Sequence, residues 1–441
     1  MLSFIGFAII LTIVFLLIQG KITPIIPLVI IPIIGALIAG FNVGEIGELF
    51  NDGVISVINV VIMFIFAILF FGIMQDAGLF KPIIDKMISI THGNVITISV
   101  GSVFIAAIAH LDGSGASTFL ITIPALLPLY RQMKMNPYLL LLLIGGSASI
   151  INMIPWGGPL GRAASVLNMD VTELWRPLIP IQIIGMIMMI ILAIYLGMRE
   201  KKRIIKQYGS ITQAIEADDH EDTLLESQDV DKDQTLIKNK YLLNVLLALL
   251  VIGVLVSGVI PAGLAFMIGV CLALPLNFRG MDAQNDVIRK HAPSALTMAT
   301  IILAAGSFLG ILSGTGMLDS IAGDTVKVLP SFITPYIHII IGILGVPFDL
   351  LLSTDAYYFA LLPVAEQIGL TFGISSISTT YSMIIGNIVG TFVSPFSPAL
   401  WLALGLAGLE MGKHIRYSFL WMWGLSIILI GIAILLGTIT I

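Results

Sequence analysis

The chain has one cysteine, Cys271, and only 11% of its 441 residues are charged. One cysteine excludes an internal disulfide framework. CxxC and HExxH motifs are missing, as is any basic tract interleaved with aromatics, so a structural zinc site and nucleic-acid binding have no motif to rest on. The ~10-residue alternation of a membrane β-barrel is missing too. Residues 1–19 lack a basic start and a small-residue cleavage site, and are expected to remain as a helix instead of leaving as a signal peptide.

Apolar residues are what the chain has in excess. They make up 58% of it, and the mean hydropathy is +1.06. Apolar runs recur from end to end at close to the roughly 20 residues a helix needs to cross a bilayer core of about 30 Å. The expected fold is therefore an all-α polytopic protein of the cell membrane, embedded in the lipid bilayer.

One polar stretch, 199–240, interrupts the pattern, opening with REKKRIIK and passing through EADDHED. It divides the chain into a first membrane half, 1–198, and a second, 241–441. In the first half, crossings are expected at 2–19, 24–40, 54–75, 138–168 and 178–198, with a hairpin over 94–130 that enters and leaves on one side. The second half repeats the order: 241–259, 261–277, 294–314, a hairpin over 331–370, then 376–410 and 417–440. The crossings at 138–168 and 376–410 are interrupted. Five crossings and a hairpin per half make an odd number, so the halves should be inverted repeats. Lysine and arginine favour the inner side. That rule puts the linker, Lys21, Lys81, Lys86, Arg131, Lys134, Arg279, Arg289, Lys290, Lys413 and Arg416 in the cytoplasm. Arg176 and Lys327 fall outside with the acidic Glu45, Glu48 and Asp52, and so do both termini.

Four polar stretches lie deep in apolar sequence: DGSGAST (112–118), NMIPWGGPLGR (152–162), FDLLLSTD (348–355) and NIVGTFVSPFSP (387–398). Lipid offers no hydrogen-bond partners, so broken backbone at that depth must be buried in protein or line a wet cavity. The stretches come in matching order in the two halves, a hairpin tip followed by a broken helix. This is the pattern of a secondary transporter, whose discontinuous helices meet at mid-membrane and turn their N-termini toward an anionic substrate.

Asp112, Asp349 and Asp355 are carboxylates in apolar surroundings and are candidates for cation or proton coupling. Asp112 leads, because Gly113-Ser114-Gly115 lets backbone approach a ligand closely; the alternative for each is a helix cap nearer the interface. Arg162 is the one basic residue the topology leaves at depth. It could grip a carboxylate in two-pronged fashion, pair with an aspartate, or reach the interface. Asn152 and Asn387 open the two breaks. Ser114, Ser117, Thr118, Ser353, Thr354, Thr391, Ser394 and Ser397 supply hydroxyls to a substrate or serve as helix–helix glue. Gly115, Gly157 and Gly158 complete the substrate-binding set. His110 could carry protons or sit as a buried neutral imidazole. Trp156, Tyr357 and Tyr358 could line the cavity, but packing is the expected role.

The stretches LDGSGASTFLITIPALLPLY, IPWGGPLGRAASVL and FDLLLSTDAYYF resemble the CitMHS family of bacterial symporters, which carry citrate complexed with a divalent cation and are coupled to protons. The resemblance covers essentially the whole chain; the first two motifs are the more specific. It implies the ion transporter superfamily plan of inverted repeats, re-entrant hairpins and broken helices, and a homodimer. It also implies a metal–citrate complex and protons as partners, no resident cofactor, and a Mg- or Ca-class cation travelling with the citrate. One divalent ion reduces trianionic citrate to a net charge of about −1, and protons complete the neutralisation. Some members carry DGDG in the hairpin motif where this chain has Ser114, which leaves the metal preference open.

Two rivals are weighed against this reading. A cation/proton antiporter or oxyanion transporter of the same superfamily would use the aspartates but not an arginine for a tricarboxylate. An intramembrane aspartyl protease would share Pro124-Ala125-Leu126 but would need a GxGD that the chain lacks.

Overall fold

The computed structural model describes residues 2–19, 21–79, 82, 86, 94–208, 234–257, 259–328 and 333–440, and among these the regular structure is entirely helical. Lys81 and most of the polar linker, 209–233, lie outside the described residues. The chain opens with α1 (Leu2–Gln19), α2 (Ile25–Ala39) and α3 (Val43–Asp76). A first hairpin follows, α4 (Val95–Ala109) and α5 (Gly115–Gln132), then a broken pair, α6 (Pro137–Ile151) and α7 (Gly158–Leu167). A short α8 (Val171–Trp175) leads into α9 (Ile179–Tyr208). The second half runs α10 (Gln234–Ser257), α11 (Ala262–Asn277), α12 (Met281–Gly314) and α13 (Met317–Val328). Its hairpin is α14 (Ile337–Ile343), α15 (Gly345–Asp349), a π-helical turn (Ala356–Leu361) and α16 (Leu362–Thr371). The broken pair α17 (Ser376–Ile388) and α18 (Pro398–Ala407) precedes α19 (Met411–Leu435).

Several boundaries differ from the sequence reading, for one physical reason: a helix may run past the apolar core. At about 1.5 Å per residue, a 34-residue helix is roughly 50 Å long and outreaches the bilayer's hydrocarbon. α3 has that length and starts at Val43 instead of 54, because Asn42 and Glu45 form a reciprocal capping box; Glu45, Glu48 and Asp52 are therefore helical. α12, also 34 residues, starts at Met281 and takes Arg289 and Lys290 into its first turns. α9 runs on to Tyr208 and α10 begins at Gln234, so both ends of the polar stretch 199–240 are helical too. The amphipathic α13 was not anticipated at all.

α3 and α12 pack along each other and form the spine that joins the halves. Their crossing is made of bare backbone. A Cβ on Gly53 would run into the carbonyl oxygen of Gly306, and one on Gly310 into that of Leu49. Small residues at such a crossing let helices approach closely where lipid supplies no hydrophobic drive. Around this spine one core of buried side chains draws on both halves. Among the described residues, five helical spans are long and apolar enough to cross a membrane: α3, α4 with the 3₁₀ turn that follows it (Val95–Asp112), the α8–α9 unit, α12 and α19.

Candidate substrate site

The first hairpin breaks where the sequence stops supporting a helix. A single 3₁₀ turn, His110–Asp112, ends α4, and Gly113 takes φ +72°, a left-handed conformation that glycine adopts without strain. Ser114 then caps α5, its hydroxyl accepting the amide of Ser117, and the amide of Ser114 donates to Asp112 Oδ1 at 2.8 Å. The tip is held from outside by Trp156, whose indole donates to the Leu111 carbonyl at 2.7 Å. Trp156 therefore both packs on Phe71 and positions the tip.

The first broken helix stops at Asn152 and restarts at Gly158. Gly157 is essential to that turn, since a Cβ there would strike the Asn152 carbonyl. α7 begins without a side-chain cap, and since its second residue, Pro159, has no N–H, the amides of Gly158 and Leu160 are its uncapped donors. One turn on, Arg162 is buried and its Nε donates to Asp355 Oδ1 at 2.6 Å. This ion pair joins the first broken helix to the tip of the second hairpin. Phe359 lies 6.0 Å below the guanidinium.

Between these parts lies a cavity of about 320 Å³, in the size range of small-ligand sites. Ten of the candidate residues line it: His110, Asp112, Ser114, Gly115 and Ser117 from the first hairpin, Asn152, Gly158 and Arg162 from the first break, and Thr354 and Thr391 from the second half. The others stand behind it. Thr118 holds His110 Nδ1 at 2.7 Å, and Ser353 accepts the amide of Ala356. Asp355 is committed to Arg162. Gly157 forms the turn, and Ser397 precedes α18 without a side-chain cap bond to that helix. Asp349, Asn387 and Ser394 form a separate buried cluster. Asn387 Nδ2 donates to Asp349 Oδ1 at 2.7 Å, and Ser394 Oγ donates to the Asp349 carbonyl at 2.6 Å.

Gln75, His291, Ser294, Met298, Phe64 and Phe392 also line the cavity and were not singled out. Most sit on the α3–α12 spine, where they are isolated polar or apolar residues on long helices. No local signal marked them, because both helices run on past the ends that the apolar pattern gives them, to 34 residues each.

A family model described as citrate transporter (CitMHS) matches residues 7–386. The chain belongs to the citrate transporter family. Three Bacillus subtilis relatives are each 34% identical over the full length of both chains: the uncharacterized transporter YraO, a citrate transporter, and a Mg(2+)/citrate complex secondary transporter. Two solved transporters share the fold. The Alcanivorax borkumensis YdaH transporter matches with TM-score 0.61 at 15% identity, covering 90% of each chain. Neisseria gonorrhoeae MtrF, of a class of antimetabolite efflux pumps, matches with TM-score 0.56 at 13% identity, covering 83% of this chain and 80% of that one. Membership in the citrate transporter family makes the protein a membrane transporter and sets aside the protease reading.

In this member of the citrate transporter family the halves interlock at the cavity. The first hairpin tip rests on the second break, where Gly115 meets Phe392 and Ala399. α7 of the first break packs against the π-helical turn of the second hairpin.

Proposed function

We propose that the protein imports citrate complexed with a divalent cation, together with protons, by alternating access across the membrane. The observation that carries this reading is the pairing of opposite chemistries across one cavity. Arg162 is tethered through Nε to Asp355, while Asp112 stands on the facing hairpin tip. A guanidinium anchored by one nitrogen is pre-oriented to grip carboxylate with its remaining edge. The uncapped start of α7 adds N–H donors for anionic oxygens. The carboxylate of Asp112 suits the oxygen shell of a hard cation already chelated by citrate. The relative named as a Mg(2+)/citrate complex secondary transporter supports the same substrate class.

Alternating access is supported by a second cavity, of about 370 Å³, further along α3. It is lined by Ser56, Asn59 and Met63 of α3, with Asn168, Asp170 and Pro261. Met63 and Phe64 thus separate two openings on one spine helix. In this proposal the halves are inverted repeats, the linker is cytoplasmic, the protein is a homodimer, and hairpins and broken helices slide past the spine.

The test is uptake of labelled citrate into proteoliposomes with Mg2+, Ca2+ or a chelator outside and a proton gradient imposed or collapsed. Uptake that needs both a divalent ion and the gradient is the expected result. Uptake undiminished by chelator would make free citrate the substrate, and no citrate uptake at all would overturn the reading.

A further inference from the structure

Behind the substrate cavity lies a second polar site that the cavity does not reach. Asp349 closes α15 with 2% of its surface exposed, and its neighbours Asn387 and Tyr358 are 1% and 0% exposed. Three oxygens in this cluster have no hydrogen-bond partner among the described residues: Asp349 Oδ2, Asn387 Oδ1 and the Tyr358 hydroxyl. Among the described residues, the only side-chain bond to the carboxyl is the one from Asn387 Nδ2 to Oδ1. Oδ2 presses against Gly390 in the break of the second broken helix, where a Cβ would overlap it. The walls are close-packed backbone, with Gly342 and Gly345 of the hairpin lying on Gly386.

Burial of a carboxylate with neither a cation nor donors on both oxygens is among the costliest arrangements in a protein. Among the described residues, the partners that the elements around Asp349 offer are neutral. α17 offers Asn387, the break offers Gly390 and Ser394, α19 offers Trp423 and Ser426 to nearby carbonyls, and the π-helical turn offers Tyr357 and Tyr358. The nearest guanidinium, Arg162, is held by Asp355. Asp112 differs in kind: it opens on the cavity and accepts a backbone amide, so an arriving cation or water can balance it.

We propose that Asp349 carries the transported proton, in a buried pocket separate from the substrate cavity, with the Tyr358 hydroxyl as its link toward that cavity. This rests on the proton-coupled reading above and names the site of coupling within it. A protonated Asp349 satisfies the pocket as a neutral group. Tyr358 is fully buried in the π-helical turn, which packs against α7, the helix that carries Arg162. To release the proton, Asp349 Oδ2–H donates to the tyrosine oxygen as the tyrosine passes its own proton to water that movement of the hairpin admits. One proton moves, and the tyrosine stays neutral. Asp349 is left as a carboxylate that the closed pocket does not balance, so release goes with movement of the hairpin. The hydroxyl and Oδ2 are not hydrogen-bonded to each other here, so the link closes only when the hairpin or a water bridges them.

The test compares wild type, Asp349→Asn and Tyr358→Phe in proteoliposomes, reading net proton-driven uptake of Mg–citrate and, separately, exchange of internal for external Mg–citrate with no gradient. Asparagine mimics the protonated carboxyl but cannot release it. D349N is expected to keep exchange and lose net uptake, and Y358F to slow net uptake more than exchange. In the same preparations, infrared spectra at neutral pH should show the band of a protonated carboxyl in wild type that is missing in D349N. That arm reads the proton even where a variant fails to transport. A coupled wild type with D349N equally coupled, or no infrared difference between them, would overturn the assignment to Asp349. A wild type indifferent to the gradient would instead overturn the symport reading itself.

Discussion

At the scale of single residues, the Arg162–Asp355 pair sets the chemistry of the site. Lysine keeps the charge but presents a compact ammonium in place of a planar fork. Arg162→Lys should therefore raise the half-saturation for citrate about tenfold, the worth of one charge-assisted bond, with a smaller change in the divalent-ion dependence. An unaltered half-saturation in the uptake assay would exclude direct contact. Both partners are nearly buried, their side chains 10% and 13% exposed. Removing one leaves the other charge unpaired, at a cost of about 3–5 kcal/mol. Asp355→Ala should lower the melting temperature of the purified protein, and adding Arg162→Met should restore part of the loss. Arg162 stood out in the sequence because it is a lone cation in an apolar stretch. Asp355 stood out as well, as a carboxylate in an apolar stretch, but its choice as the partner did not, because nothing local ties Arg162 to a residue 193 positions away. The difference between Asp112 and Asp349 was equally invisible, since it lies in burial and not in neighbouring residue types.

At the scale of elements, both hairpins and both broken helices were legible from glycine, proline and hydroxyl residues clustered in apolar runs. Helix ends were not, because charge was read as a loop signal where a capping box or a protruding turn carries it. Ser114 shows how one position joins structure to selectivity. Aspartate caps a helix as well as serine does, so Ser114→Asp should fold normally while adding a second carboxylate beside Asp112. Larger cations with higher coordination numbers gain most from that, and the ratio of Ca2+- to Mg2+-supported citrate uptake should rise. The α3–α12 crossing makes a stability prediction of its own. Gly53→Ala would drive a methyl into backbone that cannot rotate away, costing about 3 kcal/mol. Gly47→Ala, on the same helix with open space at its Cβ, should be neutral or slightly stabilising. Thermal denaturation in detergent would tell them apart.

At the scale of the whole molecule, the cavity belongs to neither half alone: the first hairpin rests on the second break, and the second hairpin reaches the first. The orientation of this assembly in the membrane is a matter of charge placement. A cysteine in place of the exposed Glu48, in a Cys271→Ser background, should be labelled by an impermeant reagent from outside the cell. Labelling from the cytoplasmic side only would reverse the topology. The interlocked halves also bear on how the protein is made. Arg162 leaves the ribosome 193 residues before Asp355, which at 5–20 residues per second is roughly 10–40 s. During that interval a finished first half sits in the membrane with a bare guanidinium and an open groove. Its maturation must wait on the nascent second half, and a chain cut short before the second hairpin should be recognised by membrane quality control as an orphan.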